Sequence, residues 1–82
     1  MANSKKPQDQ EPLNDENLPN TLAQRIYCLR ERRNLTRLDL SRRSHLSLSR
    51  IDAIESGEEL WLSFTDRARL ARSLGVLPGV LQ

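Results

Sequence analysis

The sequence is poor in the residues on which catalytic and metal sites depend. Its 82 residues include one cysteine, Cys28, and one histidine, His45. A zinc site needs several such side chains, and one histidine without a nearby nucleophile does not form a catalytic pair. The three glycines, Gly57, Gly75 and Gly79, do not form a phosphate-binding loop. The sequence therefore predicts that the protein is not an enzyme and binds no metal and no cofactor.

Long apolar runs are missing as well. No run approaches the roughly 20 residues of a membrane-spanning helix, and the first residues lack the apolar stretch of a signal peptide. A single cysteine cannot form an intrachain disulfide, which fits a reducing compartment. We therefore expect a cytoplasmic protein without membrane contact, with Cys28 as a small buried hydrophobe rather than a redox sensor.

Charge and composition divide the chain into two segments. Residues 1–19 contain three of the four prolines, four carboxylates against two lysines, and few apolar side chains. Such a segment cannot offset the entropy of ordering, so we expect a disordered tail at 1–19 and one domain at 20–82. Residues 21–82 hold eleven arginines, no lysine and seven carboxylates, a net charge of +4. Arginine suits forked hydrogen bonds to phosphate or guanine, although a solvated arginine-rich surface has the same composition.

Apolar spacing and capping residues predict an all-α fold. The spacing predicts helices over 22–33, 37–44, 48–56 and 64–74, with a short turn at 77–81. Hydroxyl residues stand at the N-cap positions, and asparagine or glycine follows the helix ends. The expected core side chains, with two that cover the core, are Leu22, Ile26, Leu29, Leu38, Leu40, Ile51, Ile54, Trp61, Leu62, Phe64, Leu70, Ala71 and Leu74.

The segment 36–57 is typical of two short helices joined by a sharp corner. Thr36 and Asp39 have the spacing of a capping box, and Ser47 provides the next N-cap. Only about three residues, Ser44 to Leu46, separate the two helices, which suits a helix-turn-helix.

This segment resembles the helix-turn-helix of the phage Cro/repressor (Xre-like) family. The resemblance covers roughly residues 20–81 and implies a compact four- to five-helix lambda-repressor-like domain. It further implies a transcriptional regulator that binds double-stranded DNA as a homodimer on a two-part operator. The residues at the family's spacing are Arg30, Leu35, Thr36, Leu40, Leu46, Ser47, Ile51, Ile54, Glu55, Gly57, Leu70, Ala71, Leu74, Gly75 and Val76.

The resemblance also implies roles for individual residues. Helix 48–56 would enter the major groove and contact bases through Ser47, Leu48, Ser49, Arg50 and Ala53. Arg30 and Glu55 would form an ion pair between the first and third helices. The N-terminus of the second helix favours an anion, and the expected phosphate contacts are Thr36, Arg37, Arg43 and Ser56.

Some positions depart from the family pattern. His45 replaces a glycine in the turn, where a positive φ would cost energy. Ser41 replaces a small alanine, and its hydroxyl must bond back to the helix. Glu58 and Glu59 replace basic or neutral residues, and carboxylates near phosphate weaken binding. A protein–protein interaction module on the same fold, without DNA binding, is therefore the alternative hypothesis.

The C-terminal end is predicted to be the dimer contact. Val76, Leu77, Val80 and Leu81 are four aliphatic residues within six positions, more than one short turn can direct into a small core. A cluster of exposed aliphatic side chains usually marks an interface. In the alternative, all four pack on the first and fourth helices and the protein is a monomer.

Overall fold

The structure is a computed structural model and describes residues 17–82. These residues form helices and no strands, so the predicted all-α class is confirmed. Each predicted helix end lies within one residue of the observed one, and residues 1–16 of the predicted tail lie outside the described residues. The elements are α1 at Leu22–Arg32, α2 at Arg37–Ser44, α3 at Leu48–Glu55, α4 at Phe64–Leu74 and a 3-10 helix at Pro78–Leu81.

The two residues before the predicted start of the domain contact its helices. Leu18 packs against the core, and the carbonyl oxygen of Pro19 accepts a hydrogen bond from Arg25 Nε at 2.6 Å. Arg25 Nη1 also donates to the carbonyl oxygens of Val80 at 3.3 Å and Gln82 at 3.1 Å. Arg25 therefore joins the start of the domain to its end, and Leu18 and Pro19 contact the helices.

Each α-helix begins at a hydroxyl residue, as predicted. Thr36 and Asp39 form a complete capping box, with 3.0 Å from Asp39 N to Thr36 Oγ1 and 2.9 Å from Thr36 N to Asp39 Oδ2. Thr21, Ser47 and Ser63 each accept a hydrogen bond from the backbone N–H three positions on. Because these bonds satisfy donors that the first turn leaves unpaired, the helix starts are determined locally.

One core holds the helices together. α1 packs on α3 and α2 packs on α4, while the 3-10 helix lies against α4 and α1. Cys28 is half-buried beside this core. The buried apolar side chains are Ile26, Leu29, Leu35, Leu40, Leu46, Ile51, Ile54, Leu62, Leu70, Ala71, Leu74 and Leu81.

Three apolar side chains predicted to contact the core are exposed, namely Leu38, Trp61 and Phe64. Leu38 stands two positions, and so about 200°, from the buried Leu40 on α2, and both cannot face one core. Leu62 fills the core after α3, which leaves its neighbour Trp61 outside. Phe64 lies in the first turn of α4, where no other element covers it.

The C-terminal end does not provide the exposed cluster expected of a dimer contact. Leu81 is buried, and Val76 and Val80 pack against the core. Leu77 alone is largely exposed. The 3-10 helix directs both of its aliphatic side chains, Val80 and Leu81, toward the core, so Leu77 is the largely exposed one of the four.

Candidate nucleic-acid interface

The corner between α2 and α3 is held by two serines. Ser41 Oγ donates to the carbonyl oxygen of Leu46 at 2.6 Å. Ser44 Oγ accepts from Leu46 N at 3.3 Å. The expectation that the Ser41 hydroxyl would bond back to its own helix is wrong, because it reaches across the turn to a carbonyl that α2 cannot satisfy. These bonds fix where α3 starts relative to α2.

His45 takes the left-handed conformation that the turn requires. Its φ is 65°, and its backbone N–H donates to the carbonyl oxygen of Ser41 at 2.9 Å. Histidine is among the residues that enter this region more readily than most, although glycine does so without strain. The corner therefore keeps its geometry at some cost in stability.

α3 presents one face to the core and the other to solvent. Ile51 and Ile54 are fully buried and anchor the helix. Ser47, Leu48 and Ser49 at its N-terminal end are exposed, and Ala53 is half-buried. Four of the five predicted base-contacting residues therefore lie together along the outer side of α3 and its N-cap.

Arg30 and Glu55 lie together and join α1 to the end of α3. Arg30 Nε is 2.6 Å from Glu55 Oε2, and Arg30 Nη2 is 3.0 Å from Oε1. Arg30 Nη1 donates to the carbonyl oxygen of Leu35 at 2.8 Å, and the guanidinium lies over the Tyr27 ring. The Glu55 side chain is 1% exposed. Its hydrogen bond raises the pKa of Arg30, so the Arg30 guanidinium is charged at neutral pH.

Arg37 extends the same network onto the exposed surface. Arg37 Nε donates to Glu55 Oε1 at 3.1 Å and Nη1 donates to Asp52 Oδ1 at 3.0 Å. Two of the five N–H donors of its guanidinium are thereby engaged, which leaves three for a further acceptor. Arg37 is thus a predicted phosphate-contacting residue that is already held in position beside α3.

Arg50, a predicted base-contacting residue, pairs with two carboxylates. Its Nε donates to Glu59 Oε1 and its Nη2 to Asp66 Oδ2, both at 2.9 Å. These hydrogen bonds raise the pKa of Arg50 and lower that of Asp66. As in Arg37, two of the five guanidinium donors are engaged, so a base edge could meet Arg50 only through the remaining donors. Within the domain, Arg50 links α3 to Glu59 in the loop and to Asp66 on α4.

The remaining predicted phosphate contacts differ in their free donors. Thr36 Oγ1 accepts from Asp39 N, and the backbone N–H and the hydroxyl of Thr36 both lower the pKa of Asp39, so an anion would compete with that carboxylate for the hydroxyl. Ser56 Oγ donates to the carbonyl oxygen of Ala53 at 3.1 Å, so it must release that bond to donate elsewhere. Arg43 is exposed and forms no ion pair with any described residue.

The sequence did not predict which carboxylates pair with Arg37 and Arg50, namely Asp52, Glu59 and Asp66. For Asp52 a signal existed, because it precedes Glu55 by three positions and so shares its face of α3. A residue that meets Glu55 from α2 therefore also meets Asp52. Glu59 and Asp66 lie nine and sixteen positions from Arg50, and no local pattern predicts those pairs.

The family assignment agrees with this geometry. The family model described as a helix-turn-helix domain matches residues 23–81. The chain belongs to this helix-turn-helix family. No curated protein and no solved structure matches the chain. The matched region of the helix-turn-helix domain runs from α1 to the 3-10 helix, so it includes the whole corner and both of the ion-pair networks described above.

Two further observations concern other kinds of site. Within residues 17–82 of the helix-turn-helix domain, no three histidine, cysteine or carboxylate side chains are grouped so that they could hold a metal ion. None of the helices described for it is long and apolar enough to cross a membrane.

Proposed function

We propose that this helix-turn-helix domain is a sequence-specific DNA-binding transcriptional regulator that places α3 in the major groove. The observation that carries the proposal is the outer side of α3, where Ser47, Leu48 and Ser49 are exposed while Ile51 and Ile54 anchor the helix. Serine hydroxyls can bond to several base edges, and leucine fits a thymine methyl group. Ala53 adds a small apolar contact further along the helix.

Arg37 supports the proposal from the N-terminus of α2. Its side chain is about half exposed and held by Asp52 and Glu55 at 3.0 and 3.1 Å. A phosphate beside α3 would take Asp52's place as the outer partner, whereas the buried Glu55 would keep the guanidinium oriented. Thr36 supplies a hydroxyl at the same helix end, where the helix dipole favours an anion. Arg43 is exposed further along α2 and would add charge.

Salt-dependent binding to duplex DNA tests this function. Binding of the wild type to a random duplex pool should weaken steeply as salt rises, because phosphate contacts release counterions. Arg37→Ala should weaken binding to all sequences about equally and lower the salt slope by roughly one. Arg72→Ala is the matched control, since Arg72 is exposed at the far end of α4, and it should leave the slope nearly unchanged.

A substitution at Asp52 is expected to change the affinity for duplex DNA in the opposite direction. Its carboxylate is half exposed on the outer side of α3, where it competes with phosphate for Arg37 and repels the DNA backbone. Asp52→Asn should therefore strengthen duplex binding at low salt. If Asp52→Asn weakened binding instead, Asp52 would be needed to orient Arg37 rather than to compete for it.

The second candidate is a protein–protein interaction module on the same fold. The observation that favours it is the charge of residues 47–63, which hold Arg50 against Asp52, Glu55, Glu58 and Glu59. A net charge of −3 over the recognition helix and its following loop opposes phosphate. Absence of salt-sensitive duplex binding at low ionic strength would favour this candidate and reject the DNA-binding function.

A further inference from the structure

Three large apolar side chains project from the end of the α3–α4 loop and the start of α4. Leu60 is 80% exposed, Trp61 73% and Phe64 77%. We call these three residues the loop patch. Single exposed apolar side chains are common on soluble proteins, but adjacent ones that form a surface usually mark an interaction site.

The loop patch is held outward by its surroundings. Arg50 bonds to Glu59 on one side of the patch and to Asp66 on the other, each at 2.9 Å. Between them Leu62 is buried, and its carbonyl oxygen accepts from Arg67 Nη2 at 3.3 Å. The segment is therefore fixed at both ends and at its centre, and the three side chains cannot turn into the core without breaking these contacts. A pre-organised apolar surface loses less entropy on binding.

Phe64 continues the apolar face of α4 beyond the end of the core. It precedes the buried Ala71 by seven positions, which is about two helical turns, so both lie on nearly the same side of the helix. Ala71 is covered by the rest of the domain, whereas nothing described covers Phe64. The core thus ends in an open apolar edge that another molecule can extend.

We propose that the loop patch is the contact between two copies of this chain. Each aromatic side chain buries roughly 150–250 Å² when covered, so the patch supplies about half of the ~800 Å² per partner of a standard interface. The rim is suited to self-association. Glu58 and Arg67 flank the patch with opposite charges, and neither forms an ion pair with any described residue. In a two-fold contact each Glu58 can meet the other copy's Arg67.

The charges closest to the patch are largely paired within each copy. Arg50 bonds to both Glu59 and Asp66 and balances one of these two carboxylates, so each copy brings one net negative charge to this edge. Because these side chains are partly exposed, solvent and salt screen the repulsion between the two copies. Because the loop directly follows α3, such pairing would also bring the two α3 helices close together. A role of that arrangement in DNA binding rests on the proposed function, whereas the pairing itself does not.

The chain's single tryptophan, Trp61, makes the proposal directly measurable. Sedimentation without DNA should show a monomer–dimer equilibrium within the micromolar range, and Trp61 emission should shift to shorter wavelength as the concentration rises. Phe64→Ser should weaken self-association at least about thirtyfold, as expected for a central interface residue. Leu60→Ser should also weaken it. Leu77→Ser is the matched control, because Leu77 is equally exposed but lies beyond the other end of α4, and it should leave self-association unchanged.

Three outcomes would overturn the proposal. A wild type that stays monomeric at high micromolar concentration with an unchanged Trp61 emission would remove the self-contact. Dimerisation that survives in folded Phe64→Ser and Leu60→Ser, checked by circular dichroism, would place it elsewhere. An emission shift caused only by duplex DNA, or only by vesicles of mixed zwitterionic and anionic phospholipid, would assign the patch to that occupant. Duplex binding is measured separately, so failure of the proposed function leaves this test intact.

Discussion

The two connections that flank α3 are built in opposite ways. The turn before it has three residues, 45–47, and polar groups inside it are satisfied by Ser41 and Ser44. The loop after it has eight residues, 56–63, and exposes Leu60 and Trp61. The first connection sets the position of α3 relative to α2 and exposes no large apolar side chain. The second holds apolar side chains in solvent by means of ion pairs, which is an arrangement suited to a partner.

The ion pairs on the two sides of α3 differ in the same way. Glu55 is buried between Arg30 and Arg37 and connects α1, α2 and α3. Arg50 is partly exposed and connects the loop to α4. Burial makes the loss of a partner costly in the first case, whereas solvent screens the second. We therefore expect the free energy of unfolding to depend more on the contacts of α3 with α1 and α2 than on its contacts with the loop.

The largest expected effect follows from removing Glu55. Glu55→Ala should lower the free energy of unfolding by about 3 kcal/mol, because it leaves the buried Arg30 charged with only the exposed Glu31 as a partner, 3.6 Å away. Denaturation in urea measures the change. Glu58→Ala removes an exposed carboxylate three positions away and should change stability by less than about 0.5 kcal/mol. Equal losses of unfolding free energy in Glu55→Ala and Glu58→Ala would show that burial of the carboxylate does not set the cost of removing it.

A smaller effect is expected from the turn serine. Ser41→Ala should lower the free energy of unfolding by about 1 kcal/mol, because it removes the hydrogen bond to the carbonyl oxygen of Leu46. Ser49→Ala is the control, since Ser49 is exposed on α3 and the variant gains the same helix propensity. The difference between the two melting temperatures isolates the hydrogen bond. No difference would mean that water replaces it.

Acid should weaken two contacts that depend on carboxylates, the pair of Arg50 and Asp66 beside the α3–α4 loop and the capping box at the start of α2. The hydrogen bond from Arg50 holds the pKa of Asp66 below its ordinary value, and the backbone bond from Thr36 does so for Asp39. A lowered pKa stabilises the fold above the unfolded value of about 3.9, and this contribution is lost as the pH falls through the folded pKa. Unfolding in urea from pH 6 to pH 2.5 should show the decline. Asp66→Asn should reduce its steepness, and an unchanged slope would contradict the assignment.

The smallest effect on folding is expected from the loop patch. Trp61→Ser should change the free energy of unfolding of the monomer by less than about 0.5 kcal/mol, because the side chain lies outside the core. Leu62→Ala, one position away, should cost about 2–5 kcal/mol by opening a cavity. Measurements at low protein concentration avoid any contribution from self-association. A large loss in Trp61→Ser would show that the indole supports the fold.

Much of the fold was predictable because its determinants are local. The capping box of Thr36 and Asp39, the N-cap of Ser47 and the positive φ of Gly57 depend on residues within a few positions of one another. Such signals are visible in a single sequence. The buried stripe of Ile51 and Ile54 follows from helical spacing for the same reason.

Sequence by itself thus determined the helices, the corner between α2 and α3 and the placement of Ser47, Leu48 and Ser49 on the outer side of α3. Only the tertiary structure decided that Arg50 pairs with Glu59 and Asp66, and that Trp61 and Phe64 stay in solvent while Leu62 is buried. The reason is physical. Helix starts and turns depend on hydrogen bonds between near neighbours, whereas ion pairs across loops and the limits of a core depend on which distant segments meet.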